Sequence, residues 1–250
     1  MTAPVLLVIA HGSRDPRHAA TVHALTARVR SLRPGLRVET GFLEFNAPSV
    51  PRVLERLAAD GAGEVVALPL LLTRAFHAKT DIPSVLREAR TRLPRLRIRQ
   101  AGVLGPSPLL NAALEERLYE AGLSPADKRS TGLVLASAGS TDPEAIAVIA
   151  EIARELRHTG WCAVRPAFAS ASLPRTEEAV RDLRSEGVRR VAVAPYVIAP
   201  GRLPDRIAAG AAGADVLSGV LGPSPALARL LLTRYAEACD PAAGTRSLSA

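Results

Sequence analysis

Uninterrupted apolar runs alternate with stretches of helical periodicity along the chain. Residues 5–10 form the first run, and six consecutive apolar residues predict a strand that is buried on both faces of a parallel sheet. After a short turn, Asp15 is a candidate N-cap and Pro16 suits the first position of a helix. The apolar residues of that helix recur at helical spacing, at Val22, Leu25, Val29 and Leu32.

The same alternation continues through the first half of the chain. Three further strands are predicted at residues 36–43, 64–72 and 96–104. Helices are predicted to begin at Ser49, Asp81 and Ser107. Strands that alternate regularly with helices indicate an α/β fold with a parallel sheet and right-handed crossovers.

The second half of the chain repeats the first. Residues 102–108 recur letter for letter at 219–225. Three other pairs of segments match in the same order: 6–16 with 133–143, 38–42 with 164–168, and 60–70 with 186–196. We therefore predict two tandem copies of one parallel-sheet α/β domain, residues 1–125 and 126–250, flanking one cleft.

The repeat also separates scaffold residues from candidate chemistry. Both copies keep a Gly-Ser and an Asp-Pro pair after their first strand. Three polar residues of the first copy are replaced in the second: His11 by Ala138, Glu44 by Ser170 and His77 by Leu203. If the two histidines served the fold, the second copy would need them too. We predict that their shared role is functional.

These side chains are placed to share one site. His11 ends the first strand, Glu44 ends the second, and His77 follows the third. Neighbouring parallel strands lie about 4.8 Å apart, and open α/β sheets bind ligands at their carboxyl ends. Two imidazoles and a carboxylate suit Fe, Co, Ni or Zn, although Glu44 also fits a surface position. The remaining histidines fall on helices and are predicted to be solvated or structural: His18, His23 and His158.

Composition and charge narrow the class of partner. With 48% hydrophobic but only 3% aromatic residues, the core is predicted to be aliphatic. The net charge of +8 indicates an anionic partner. Few aromatics and dispersed arginines disfavour nucleic acid, so a polycarboxylate or phosphate ligand fits better. Cys162 and Cys239 lack CxxC spacing, and no apolar stretch is long enough for a membrane span. We expect a cytoplasmic protein.

Several common active-site motifs are missing from the sequence. There is no phosphate-binding loop of the Gly-x-x-x-x-Gly-Lys type and no Gly-x-Ser-x-Gly turn. A His-Gly pair after a strand also occurs in histidine phosphatases, but those require an arginine directly before the histidine. Ala10 occupies that position here.

Three segments together resemble the sirohydrochlorin chelatases, the class II chelatases that insert cobalt or iron. These are residues 11–16, residues 41–44, and His77 ahead of residues 80–83. The resemblance covers the whole chain and is closest to the long form with a catalytic N-terminal half. It implies that His11 and His77 bind the metal ion and that Glu44 assists. Many members carry glycine where this chain has Ala75.

The resemblance further implies an enzyme of the lyase class that inserts Fe²⁺ or Co²⁺ into sirohydrochlorin, in sirohaem or cobalamin biosynthesis. The metal is then a substrate, no cofactor is permanently bound, and Ni²⁺ stays open. Four residues near the histidines are predicted to bind the substrate's carboxylates: Ser13, Arg14, Arg74 and Lys79. A monomer or homodimer is expected, without nucleic-acid or membrane partners. The main alternative is a non-catalytic metal or tetrapyrrole carrier.

Overall fold

The computed structural model describes residues 3–74 and 80–240. Within them the chain divides into two compact units, and each contains a four-stranded parallel sheet. This confirms the predicted pair of parallel-sheet α/β domains. The elements in chain order are β1 Val5–Ala10, α1 Pro16–Leu32, β2 Val38–Phe42, α2 Val50–Ala59, β3 Glu64–Pro69, α3 Ile82–Arg92, β4 Arg97–Gln100, α4 Pro108–Glu120, β5 Thr131–Ser137, α5 Pro143–His158, β6 Ala163–Phe168, α6 Thr176–Ser185, β7 Arg190–Tyr196, α7 Arg202–Gly210, β8 Val216–Leu217 and α8 Pro225–Cys239.

The sheet of the first unit has the order β2-β1-β3-β4, so β1 lies between β2 and β3. Every residue of β1 is buried, as its unbroken apolar run predicts. Leu7 and Ile9 pack with the apolar residues of α2 and α3 in one core cluster. Because successive side chains of a strand alternate between faces, Leu6 and Val8 point to the opposite layer.

The second unit repeats this sheet with the order β6-β5-β7-β8. Val134 and Ala136 of β5 pack in a cluster with residues of α6 and Ile207 of α7. Its last strand, β8, has two residues, whereas β4 of the first unit has four. None of the helices in the described part of the chain has the length and apolar character needed to cross a membrane.

The compact units do not follow the boundary of the sequence repeat. The first unit combines residues 1–105 with 223–250, and the second consists of residues 106–222. Helix α8, from the second repeat, therefore belongs to the first unit, where it packs against α1 and β3. Helix α4, from the first repeat, belongs to the second unit and packs against β7. The repeats thus exchange their last helices.

The four helices of the first repeat begin directly after the residues predicted to start them, and in two helices that residue also caps the helix with its side chain. The Asp15 carboxylate accepts a hydrogen bond from the backbone N–H of Arg17 at 2.9 Å. Ser107 accepts from the N–H of Leu109 at 3.3 Å. Ser49 and Asp81 occupy the N-cap positions of α2 and α3, as predicted, but their side chains make no capping bond.

Candidate functional site

The topology of the first unit leaves a natural binding position at the carboxyl end of β1. Parallel strands β1 and β3 are neighbours, with Ile9 opposite Pro69. Helix α1 follows β1, while the core cluster of α2 and α3 covers the other face of the sheet. The chain therefore leaves these two neighbouring strands towards opposite layers, which is where open α/β sheets form a ligand crevice. His11 follows β1 directly, and it is half-buried.

The turn after β1 touches the turn after β2. The backbone N–H of Glu44 donates to the carbonyl of His11 at 2.9 Å. Gly12 has φ +96°, and a Cβ atom at that position would lie 1.9 Å from the carbonyl oxygen of Glu44. Glycine is required here because the two backbones meet with no room for a side chain. The contact fixes Glu44, which is exposed, beside His11.

Asn46 ties the same two turns together through its side chain. Its Oδ1 atom accepts a hydrogen bond from the backbone N–H of Ser13 at 2.8 Å. The Ser13 hydroxyl oxygen in turn accepts from the N–H of Asp15 at 3.1 Å. These bonds occupy the small-residue turn between β1 and α1 and fix its path next to Glu44.

Phe45 lies over this site as an exposed aromatic ring. Its centroid is 6.2 Å from that of His11, with the two rings nearly perpendicular. The guanidinium carbon of Arg14 lies 5.3 Å from the centre of the Phe45 ring, within the range of a cation–π contact. Neither Phe45 nor Asn46 is among the residues that the sequence pattern predicts. Phe45 could have been found from the sequence, because the second repeat has Ala171 at the corresponding position.

A second imidazole lies on the first turns of α1. His18 is half-buried. Burial lowers its pKa, and the charge that His11 can carry lowers it further, whereas Asp15 acts in the opposite direction. His18 therefore lies close enough to His11 for a charge on His11 to disfavour the protonated form of His18. His23 packs edge-on against Phe42 at 5.7 Å and His158 is exposed, as the prediction of structural or solvated roles expects.

The second unit reproduces the backbone of this site without the side chains of His11 and Glu44. Ser170 donates its N–H to the carbonyl of Ala138 at 3.0 Å, which matches the bond between Glu44 and His11. A Cβ atom on Gly139 would lie 1.8 Å from the carbonyl oxygen of Ser170. The pair of touching turns is therefore scaffold, and His11 and Glu44 are additions to it.

The remaining predicted residues are partly outside the described ranges. His77 and Lys79 fall within residues 75–79, which the structure does not describe, and Ala75 does as well. Arg74 is exposed after β3, at the last described position before that gap. Without residues 75–79, no group of three His, Cys, Asp or Glu side chains in the described ranges is placed to hold a metal ion. The structure brings together His11, Glu44, Ser13 and Arg14.

Comparison with known proteins gives one consistent family. The family model described as CbiX matches residues 5–121 and again residues 132–238, so it covers both repeats. A sirohydrochlorin cobaltochelatase of Priestia megaterium is 30% identical over 206 residues, which are 81% of this chain and 66% of that protein. A sirohydrochlorin ferrochelatase of Bacillus subtilis is 27% identical over 203 residues, which are 81% of this chain and 77% of that protein.

A solved structure has the same fold over almost the whole chain. It is described as SirB from Bacillus subtilis with Fe³⁺, and it superimposes with a TM-score of 0.83 at 25% identity. The match covers 97% of this chain and 98% of the other.

Proposed function

The chain belongs to the CbiX family, and on that premise we propose that it is a chelatase that inserts Fe²⁺ or Co²⁺ into sirohydrochlorin. The observation that carries the proposal is the duplicated site. Two units build the same pair of touching turns, and only the first equips them with an imidazole and a carboxylate. The family relatives named above are chelatases for this substrate with iron or cobalt.

We assign the chemistry to His11, Glu44 and His77. Insertion releases the two N–H protons of the macrocycle as its nitrogens take up the metal ion. His11 as a neutral imidazole can hold the incoming ion and accept a proton when the ion leaves it. Glu44 can accept the second proton or balance the ion's charge. The role of His77 is supported by topology, since it lies in the segment that follows β3, the neighbour of β1.

Ser13, Arg14, Arg74 and Lys79 are proposed to bind the carboxylates on the rim of sirohydrochlorin. Arginine pairs with carboxylates through charge-assisted hydrogen bonds. Arg14 is exposed beside His11 and Arg74 is exposed after β3. The oxygen of the Ser13 hydroxyl is used within its own turn, but its O–H can still donate to a carboxylate. The net charge of +8 adds attraction for this anionic substrate.

The choice of metal, the partners and the location belong to the same proposal. A site of two histidines and a glutamate accepts Fe²⁺, Co²⁺ and Ni²⁺, and we favour iron for sirohaem, with cobalt for cobalamin next. The metal ion is a substrate that passes through the site. We propose a cytoplasmic monomer or homodimer without nucleic-acid or membrane partners. Cell fractionation and light scattering check the location and the assembly.

The His11→Ala variant tests the proposal. We expect its rate of metal insertion to fall by about 100-fold or more, the size of effect seen when an acid–base group is lost. His158→Ala is the control, because His158 is an exposed histidine at the end of α5. The absorbance change of sirohydrochlorin with Fe²⁺ or Co²⁺, recorded without oxygen, measures the rate.

Two results would contradict the proposal. Near-normal insertion by His11→Ala would remove His11 from the reaction. Uptake of one equivalent of metal or tetrapyrrole by the unaltered protein, without repeated turnover, would favour the carrier alternative.

A further inference from the structure

Phe45 is an apolar residue at a position that is unfavourable for it in two ways: its backbone conformation is strained and its ring is exposed to solvent. It is 54% exposed, one of four large exposed hydrophobic residues in the described part of the chain. Its φ is +61°, in the left-handed region that glycine and asparagine occupy at least cost. A bulky residue in this conformation is an outlier whose retention calls for a reason other than local stability.

The second repeat shows that the turn does not need the ring. Ala171 occupies the corresponding position with φ +60°. The turn around it has the same internal hydrogen bond, from Ser172 N–H to the Ser170 carbonyl at 2.6 Å, as the bond from Asn46 to Glu44 at 2.7 Å. The positive φ is therefore a property of the scaffold. The benzyl group is an addition to the first repeat, like His11 and Glu44.

The ring lies between the two kinds of group that the reaction requires. On one side it meets His11 edge-on at 6.2 Å. On the other it lies under the guanidinium of Arg14 at 5.3 Å. More than half of the residue's surface stays exposed despite these two contacts. An apolar surface is thus available between a metal-binding group and a carboxylate-binding group.

We propose that Phe45 is a substrate-binding residue that packs against the conjugated face of the tetrapyrrole. The inference rests on the proposed function and adds the recognition of the macrocycle itself. A flat conjugated ring system bearing carboxylates needs an apolar contact for its face and cations for its rim. Phe45 supplies the first and holds Arg14 for the second, while His11 stays within reach of the ring nitrogens. Stacking on an aromatic side chain is a general way to bind such flat ligands.

The test compares Phe45→Ala with the unaltered protein. Alanine adopts this backbone conformation at position 171, so the variant is expected to fold and to melt at the same temperature. We expect the Kd for sirohydrochlorin without metal, measured by quenching of its fluorescence, to rise about tenfold, as for loss of one stacking contact. KM is expected to rise by a similar factor while kcat and the affinity for Co²⁺ alone stay unchanged.

Two further variants define what the ring contributes. Phe45→Trp keeps an aromatic face and is expected to bind sirohydrochlorin within about twofold of the unaltered protein, since indole stacks at least as well. Leu32→Ala is the matched control: Leu32 is also an exposed apolar residue, 45% accessible, but it ends α1 at the opposite end of the sheet from His11. Its removal is expected to change neither Kd nor KM.

The outcomes separate this inference from the proposed function. An unchanged Kd for sirohydrochlorin in Phe45→Ala would overturn the inference that Phe45 binds the macrocycle. An equal loss of Co²⁺ affinity would overturn it as well, because Phe45 would then act by positioning His11. Failure of the unaltered protein to turn over, with tetrapyrrole binding still dependent on Phe45, would refute the proposed function alone. No binding of sirohydrochlorin by the unaltered protein would refute both.

Discussion

Gly12 lies where the turn after β1 meets the turn after β2. Its φ of +96° is unfavourable for any residue with a side chain, and a Cβ atom would lie 1.9 Å from the Glu44 carbonyl oxygen. That oxygen belongs to the backbone, so no side-chain rotation can relieve the clash. A substitution must push the Glu44 segment away from His11, and would separate the two residues that we propose as metal ligands.

We predict that Gly12→Ala costs about 2–4 kcal/mol of the free energy of unfolding, from the left-handed backbone and the overpacking together. Metal insertion by the protein that remains folded should fall more than about tenfold, because a displacement of about 1 Å can cost that much. Urea unfolding and the insertion assay measure the two effects.

Two other glycines supply the controls. Gly35 has φ +88°, but a methyl group at that position would have no neighbouring atom within 4 Å. Gly35→Ala should therefore cost about 1 kcal/mol and leave activity intact. Gly139 repeats the clash in the second unit, so Gly139→Ala should lose stability while the folded protein stays active. A Gly12→Ala variant as stable and active as Gly35→Ala would contradict the prediction that the contact between Gly12 and Glu44 holds the two turns together.

The sequence predicts part of the site and misses the rest for a physical reason. His11 and Glu44 are recognisable because the second repeat lacks them while keeping the surrounding scaffold. Phe45 differs between the repeats in the same way, but an aromatic residue reads as a core residue until its exposure is known. Asn46 is replaced by Ser172, and both side chains have an oxygen near the equivalent backbone N–H. Only the geometry of the turn shows that this side-chain oxygen accepts a hydrogen bond from the backbone.

At the scale of elements, apolar patterning predicts burial better than it predicts hydrogen bonding. The predicted strands 36–43 and 96–104 are longer than β2 and β4. The extra apolar residues include Leu36, Leu96 and Leu104, which are buried but lie outside the strands. A strand ends where its backbone stops hydrogen bonding to the neighbouring strand, and the apolar pattern does not predict that position.

The acidic residue Asp215 directly precedes the short edge strand β8 and bonds to the neighbouring strand β7. The carboxylate of Asp215 accepts from the backbone N–H of Val191 at 2.7 Å and from the guanidinium of Arg184 at 2.8 Å. The bond from Val191 and the charge of Arg184 hold the pKa of Asp215 below its usual value, against an opposing effect of burial. The folded state therefore stabilises the ionised form.

We predict that Asp215→Asn lowers the free energy of unfolding at pH 7 by about 0.5–1 kcal/mol, a modest value because the side chain is 41% exposed. The folded-state pKa is the lower one, so this contribution is present above the unfolded value near pH 4 and is lost as the pH falls through the folded value. Urea unfolding at pH 7 and pH 3 should show the deficit shrinking on acidification.

Glu186→Gln is the matched control for this prediction. Glu186 is similarly exposed, at 44%, and pairs with Arg165. Both hydrogen bonds of that pair come from a guanidinium rather than from a backbone N–H. Because an exposed ion pair of this kind contributes little, we expect a change below about 0.5 kcal/mol. A deficit in Asp215→Asn that persists undiminished at pH 3 would argue that its charge is not what matters.

At the scale of the whole molecule, the exchange of α4 and α8 is the feature that the sequence does not predict. Both helices follow the same seven-residue segment, 102–108 and 219–225. Each helix thus has an equivalent start and an equivalent place in the repeat. Sequence comparison assigns each to its own repeat, whereas packing assigns each to the other unit.

The contacts of α8 show how firmly it belongs to the first unit. The Tyr235 hydroxyl donates to the carbonyl of Pro4 at 2.7 Å. Arg234 donates to the carbonyls of Val103 and Leu104 at 3.0 and 2.9 Å. Leu227 and Leu231 of the same helix are fully buried. Burying a leucine side chain contributes about 1.5–3 kcal/mol, so loss of α8 removes a substantial part of the first unit's stability.

We therefore predict that neither residues 1–125 nor residues 126–250, produced alone, gives a stable folded monomer. The first fragment would keep α4 without the strand β7 it packs on, and would expose the sheet face that α8 covers. Exposed apolar surface of this kind drives exchange between copies or aggregation. Light scattering and thermal unfolding by circular dichroism measure each fragment.

Mixing the two fragments during refolding should restore a folded 1:1 complex, because each supplies the helix that the other lacks. A monomeric fragment 1–125 with cooperative unfolding and full metal-insertion activity would show that the exchanged helices are dispensable, and the boundary of the sequence repeat would then be the boundary of folding as well.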